Sequence, residues 1–291
     1  MHPFDTSKPV TEIIRQRFSC RTYLEKPIAT QALENLAGYA AALHSGPLGG
    51  SARFGLVAGS QENLKELKGL GTYGFIKGAT GFIVGATAQD GQHLEDFGYL
   101  LEHIILYATD LGLGTCWLGG TFTKTSFGKK IAVRPGELVP CVAAVGYIAP
   151  KPRRIDALIR SGAKGDRRLP WECLFFNQSF GSPLTRQAAG DYTLPLEMVR
   201  LGPSASNKQP WRVIQDGRKW HFYLQRTPGY REQRLVRLVT VADLQRVDMG
   251  IAMCHFELSA RGIGLQGRWK AEEPAIQKPE AGCEYTTSWI A

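Results

Sequence analysis

The sequence predicts an α+β protein made of two related halves, and three observations carry that reading. Two helix-patterned runs match one another at a fixed offset, strand-like segments are scattered among helices without a regular βαβα alternation, and an Asp-Gly turn links two of those strands into a hairpin.

The repeat is the strongest of the three. Residues 96–117, "DFGYLLEHIILYATDLGLGTCW", place Phe97, Leu100, Leu101, Ile104, Ile105, Ala108 and Leu111 on one helical face. Residues 248–269, "DMGIAMCHFELSARGIGLQGRW", do the same with Met249, Ala252, Met253, Phe256, Ala260 and Ile263. At an offset of 152 and without gaps the two runs share Asp96/Asp248, Gly98/Gly250, His103/His255, Leu106/Leu258, Ala108/Ala260, Gly112/Gly264, Leu113/Leu265 and Trp117/Trp269. Ordinary residue usage gives roughly one or two matches over such a length.

The other elements follow in order. A short helix is expected over "VTEIIRQ" and a longer one opening at "TQALENL", residues 30–36, which resembles "TLPLEMV" at 193–199. Each of these two leads through a polar connection into a strand, "RFGLVAG" at 53–59 and "WRVIQ" at 211–215, and the latter turns at Asp216-Gly217 into "KWHFYLQ". Further strands are predicted at 80–87 and 140–147. The halves are drawn as residues 1–170 and 171–291, forming one joint unit.

With 43% hydrophobic residues the chain can bury a sizeable core. No leader-like segment is legible at the N-terminus and no apolar run approaches a membrane span, so a cytoplasmic protein without a membrane partner is expected. The six cysteines show no C-x-x-C spacing, which argues against a zinc site or a disulfide framework. The net charge of +9 is spread along the chain without a nucleic-acid-binding signature, so no nucleic-acid partner is expected.

Several stretches could carry chemistry. "GLGTYG", residues 69–74, fits G-x-G-x-x-G, but it follows helical "ENLKELK" and precedes a strand, the reverse of a dinucleotide fingerprint. In "RFSCRTY", an extended backbone would turn Arg17, Ser19 and Arg21 to one side, suited to a phosphate or simply solvated. "WLGGTF" ends the first repeated helix with glycines that either admit a ligand to the backbone or cap the helix. "GPSASNKQPW", residues 202–211, lies between a helix and a strand, and its amides and hydroxyls either face a planar heterocycle or satisfy their own turn.

Together these stretches resemble the flavin-dependent nitroreductase family, in a branch with two half-units fused as a pseudo-dimer. "RFSCRTY" is similar to the family's Arg-x-Ser-x-Arg phosphate motif, "GPSASNKQPW" to its Pro-Ser-x-x-Asn-x-Gln-Pro-Trp motif, "GLGTCWLGG" to its post-helix flavin loop and "RRLP" to the basic segment over the phosphate. The resemblance implies a nitroreductase-like fold with mixed sheets flanked by helices. It further implies that Arg17, Ser19, Arg21 and Arg168, with Lys164, hold the phosphate and ribityl groups of FMN. Pro203, Ser204, Ser206, Asn207 and Gln209 would meet the ribityl chain or ring edge, and Leu118, Gly119 and Gly120 would offer backbone N–H groups. No residue is expected as a nucleophile, because the flavin carries the redox chemistry.

The implied activity is hydride transfer from transient NAD(P)H through FMN to a small-molecule acceptor such as a nitroaromatic or quinone. Reductive dehalogenation, flavin fragmentation or non-catalytic flavin binding on the same fold are the alternatives. Each half lacks what the other retains: "HSGPLGGSARF" stands where the Asn/Gln loop would be, and "FGSPLTRQAAGDY" where the Arg-Ser-Arg segment would be. One FMN per chain is therefore expected, in a chain that suffices as a monomer.

Overall fold

The computed structural model describes residues 4–59, 67, 70, 72–88, 93–120, 122–229, 242–279 and 282–291. Apart from Leu67, the helix expected over 62–68 lies outside the described residues, as do Gly69 and Gly71 of the G-x-G-x-x-G stretch.

The first half runs α1 (Val10–Gln16), α2 (Thr30–Ala42), β1 (Ala52–Ala58), β2 (Gly81–Ala88), α3 (His93–Asp110), β3 (Gly114–Leu118), α4 (Lys124–Lys130), β4 (Glu137–Leu138), β5 (Val142–Gly146) and α5 (Arg154–Gly162). The second runs β6 (Phe175–Asn177), α6 (Arg186–Ala189), α7 (Thr193–Leu201), β7 (Trp211–Asp216), β8 (Lys219–Gln225), α8 (Leu244–Gly262), β9 (Arg268–Lys270) and β10 (Cys283–Ile290). The sheets have the orders β1-β2-β5-β3, with β4 beside β2, and β7-β8-β10-β9, extended by β6 on β7. In both, two strands form a hairpin, a long helix intervenes, and the next two strands return antiparallel in reversed spatial order. Two strands depart from the shared pattern: β4, which pairs with β2 in the first sheet, and β6, which joins β7 in parallel in the second.

The repeated residues explain themselves in this architecture. α3 and α8 cross at Gly98 and Gly250. A Cβ on Gly98 would strike the carbonyl of Val247, and one on Gly250 would strike the carbonyl of Glu95. Glu95 and Val247 stand at the same offset of 152 as the two glycines, so the two contacts fall at equivalent positions of the repeat. After each helix the chain reverses at a left-handed glycine, Gly112 (φ 77°) or Gly264 (φ 84°). The next amide then bonds back identically, Leu113 to Ala108 and Leu265 to Ala260, each at 3.0 Å. Trp117 and Trp269 each donate their indole N–H to a buried glutamate, Glu102 (2.7 Å) and Glu257 (2.6 Å).

Asp96 and Asp248 hold the loops that differ between halves. Asp96 accepts the amides of Leu48 (3.0 Å) and Gly50 (2.5 Å) in "HSGPLGG", and Asp248 accepts the amide of Ala205 (2.9 Å) in "GPSASNKQ". The two loops therefore occupy corresponding places. Phe97, Leu100, Leu101, Ile104, Ile105 and Ala108 are fully buried as expected, as are Met249, Ala252, Met253, Phe256 and Ala260. Ile263 is 43% exposed, because α8 ends one residue before it.

Strand β1 also supplies a pH prediction. Arg53 donates to Glu137 (2.6 and 2.9 Å) and to the carbonyls of Ile131 and Ala132. The Arg53 guanidinium, aided by the Arg134 amide and opposed by slight desolvation, holds the Glu137 carboxyl down at about 2. A carboxylate depressed on folding contributes stability above its unfolded value of 4.5 and loses it as pH falls through about 2. Acid titration of thermal stability should therefore show a steeper decline between these pH values in the parent than in Arg53→Met.

Candidate functional site

Arg17 ends α1, and the chain then runs extended so that Ser19 pairs in parallel with Thr115 of β3 and the Cys20 amide bonds the Thr115 carbonyl at 2.9 Å. The Arg17 guanidinium is buried, with Nε 3.8 Å from Glu102 of α3. Glu102 also accepts His255 of α8 at 2.9 Å and Trp117 at 2.7 Å. Phe18 is exposed beside Arg160, whereas Cys20 is buried. Arg17 and Arg21 both lie close enough to Cys116 to oppose the burial that pushes its thiol up.

β3 carries the chain to Leu118, Gly119 and Gly120. This corrects the expectation that these glycines end a helix: α3 stops at Asp110, Gly112 does the capping, and residues 114–118 form a strand. The physical reason is local, since a β-branched and aromatic run, "TCW", follows the turn. Gly119 fits because a Cβ would strike the Leu244 side chain in the first turn of α8, while Gly120 borders open space. One turn further along α8, Asp248 holds the 202–209 loop, so the two loops meet at the same helix end.

In that loop the Ser204 hydroxyl accepts the Gln209 amide at 2.8 Å, the self-satisfied turn. Asn207 and Gln209 instead reach the basic segment. Asn207 donates to the carbonyls of Lys164 (2.6 Å) and Arg167 (2.9 Å), and Gln209 accepts the Leu169 amide at 2.8 Å. Arg168 bonds Asn207 at 3.3 Å and the carbonyls of Gly165 and Leu201. Lys164 contributes its carbonyl here, its side chain being exposed. Ser206 is exposed and Pro203 half-buried.

Two features mark the place as built for something other than stability. Lys164, Ser206, Asn207 and Gln209 all have φ near +50°, in a conformation that costs a non-glycine residue of order 1 kcal/mol. Cations are also crowded. Burial, followed by the neighbouring Arg17 and Arg200 charges, holds the Arg168 guanidinium below its usual range. Among the described residues, three buried polar atoms of this region lack a partner: Arg17 Nη1, Arg168 Nε and Thr115 Oγ1. Buried donors are nearly always satisfied, so an anion with several acceptor oxygens suits this set.

Thr115 escaped sequence reasoning. It is buried, and its register opposite Ser19 puts it beside the Arg-Ser-Arg segment. The repeat held a signal, because the second half has Gly267 at the matching position.

A family model described as "Putative TM nitroreductase" matches residues 9–260. The chain belongs to this nitroreductase family. A solved structure from Thermotoga maritima, described as "a putative nitroreductase", aligns over 100% of this chain and 97% of its own at 19% identity and a TM-score of 0.60, which extends the shared fold to the whole chain. An FMN-dependent nitroreductase from Clostridium difficile R20291 covers 48% of this chain and 88% of its own at 22% identity and a TM-score of 0.39. A nitroreductase family protein from Clostridium difficile 630 covers 55% and 92% at 17% identity and a TM-score of 0.40. No curated protein matches the chain. Among the described residues no helix is long and apolar enough to cross a membrane, and no group of His, Cys, Asp or Glu could hold a metal ion.

Proposed function

We propose that this nitroreductase family member is an FMN-dependent oxidoreductase with one flavin site per chain, built jointly by residues 1–170 and 171–291. The observation that carries the reading is that Arg17 lies near Arg168, which bonds Asn207 of the loop at 202–209, while Thr115 stands opposite Ser19, and that among the described residues each of Arg17, Thr115 and Arg168 has a buried polar atom without a partner. These residues fit a phosphate: Arg17, Arg21 and Arg168 offset its charge, and Ser19 and Thr115 supply hydroxyl donors. Gly119 and Gly120 leave backbone N–H groups accessible, and Pro203, Ser204 and Ser206 line the opposite side. Asn207 and Gln209 act through the basic segment, fastening it over the site.

The chemistry such a cofactor supplies when bound is two-electron transfer from NAD(P)H to an oxidised acceptor such as a nitroaromatic or quinone. The chain's own residues bind and orient, and none needs to act as a nucleophile. Arg53 and Arg186, the cations nearest a second, symmetry-related site, support a single site by their engagement elsewhere. Arg53 is taken up by Glu137 and two carbonyls, and Arg186 pairs with Glu197 at 3.0 Å and stacks on Trp171.

Anaerobic stopped-flow mixing of the FMN-loaded protein with NADH or NADPH tests the activity. Bleaching of the flavin band followed by reoxidation on adding a quinone is expected. Bound FMN that neither nucleotide reduces would make the chain a flavin binder. Thr115→Val tests the site: it should weaken FMN binding by about 1 kcal/mol while leaving apo-protein stability unchanged or higher, because it removes a buried hydroxyl that has no partner. Fluorescence titration and thermal melts read the two effects separately.

A further inference from the structure

A cavity of about 510 Å³ lies between residues 4–10 and the C-terminal end of α8, with His103 of α3 in its wall. It shares no residue with the flavin site. Its apolar walls are Phe4, Pro9, Val10 and Leu258, and the Phe4 ring meets the His103 imidazole edge to face at 5.5 Å.

The polar lining is one-sided. His103 is 1% exposed, its Nδ1 lies 3.3 Å from the Tyr39 hydroxyl, and its Nε2 has no partner among the described residues. Burial, with the nearby His255 acting in the same direction, pushes the His103 imidazole down to about 3. It is neutral at physiological pH, so one ring nitrogen carries the proton, and in the tautomer in which the Tyr39 hydroxyl donates to Nδ1 that nitrogen is Nε2. Most of the acceptor capacity of Glu257 is taken up, by Arg261 at Oε1 (2.7 Å) and by Tyr99 and Trp269 at Oε2 (2.8 and 2.6 Å). Lys8 and Arg261 against Glu257 leave the lining with one net positive charge and a surplus of donors.

We propose that this cavity is a second small-molecule site, separate from the flavin site, that takes a compact aromatic monocarboxylate: its ring against Phe4, Val10 and Leu258, its carboxylate toward His103, Lys8 and Arg261. The cavity's fixed charge favours a monoanion, and its apolar walls favour a ring over a free inorganic anion.

Benzoate titration of the purified full chain, followed through the histidine ring nitrogens by NMR, tests the assignment. Saturable movement of the His103 resonance is expected. His103→Phe, which keeps an aromatic ring but removes the donor, and Lys8→Ala, at the half-exposed mouth and outside the core, should each weaken benzoate about tenfold, the loss of one charge-assisted contact. Sodium chloride at equal ionic strength should not reproduce the shift. Benzoate that leaves His103 unmoved, perturbs only the flavin absorbance, or binds both variants as tightly as the parent would overturn the proposal.

Discussion

Gly250→Ala is expected to cost the fold about 3 kcal/mol, the upper part of the usual range for overpacking, and to lower the melting temperature by roughly 5 °C. The added methyl would collide with the Glu95 carbonyl and the Tyr99 amide of α3. These are backbone atoms, so no rotamer change relieves them. Gly98→Ala should cost a similar amount, since its methyl meets the backbone of Val247 in the mirrored contact. Gly38→Ala in α2 is the control: nothing lies within 4 Å of its Cβ, and alanine there should stabilise by about 0.5–1 kcal/mol. If all three glycines tolerated alanine equally, the crossing of α3 and α8 would not be the joint between the halves.

Arg17→Ala should weaken FMN binding by about 1.5–3 kcal/mol, the range for hydrogen bonds to a charged partner. Fluorescence titration reads this directly. The buried Glu102 keeps its hydrogen bonds from His255 and Trp117, so the variant should still fold. Arg21→Ala should act in the same direction. Arg168→Ala should differ, because that guanidinium also fastens the basic segment to Asn207 and to the Leu201 carbonyl. Its loss should lower both affinity and thermal stability, whereas Arg17→Ala lowers affinity far more than stability. Unchanged FMN affinity in both variants would remove the phosphate assignment.

Much of the architecture was readable because helix periodicity and the repeat reinforce one another. Gly98 and Gly250 stand out in a helical stripe where alanine would form the better helix, and that cost makes sense only against a close neighbour. The strand β3 was harder to see. "GLGTCWLGG" is short, flanked by glycines and adjacent to a strong helix, so its glycines read as a helix end when Gly112 alone plays that part.

The candidate site was legible by residue type and less so by role. Asn207 and Gln209 are where the motif puts them, but their amides grip the backbone of 164–169, a partner some forty residues away that no local pattern specifies. Thr115 is marked only by the contrast with Gly267 at the matching position of the repeat. A hydroxyl in a five-residue strand has no periodicity to betray it, and its importance comes from the Ser19 register and its missing partner.

The central claim is that one chain makes one flavin site from both of its halves. Arg17→Ala and Asn207→Ala, each impaired in FMN binding by itself, should be mixed in equal amounts and the bound flavin per chain measured after gel filtration. The account predicts one FMN per chain in the parent and no recovery in the mixture, because every chain then lacks one part of its only site. Recovered binding in the mixture, or two flavins per parent chain, would contradict it by showing that the loop at 202–209 serves a neighbouring molecule or that the second half holds a site of its own.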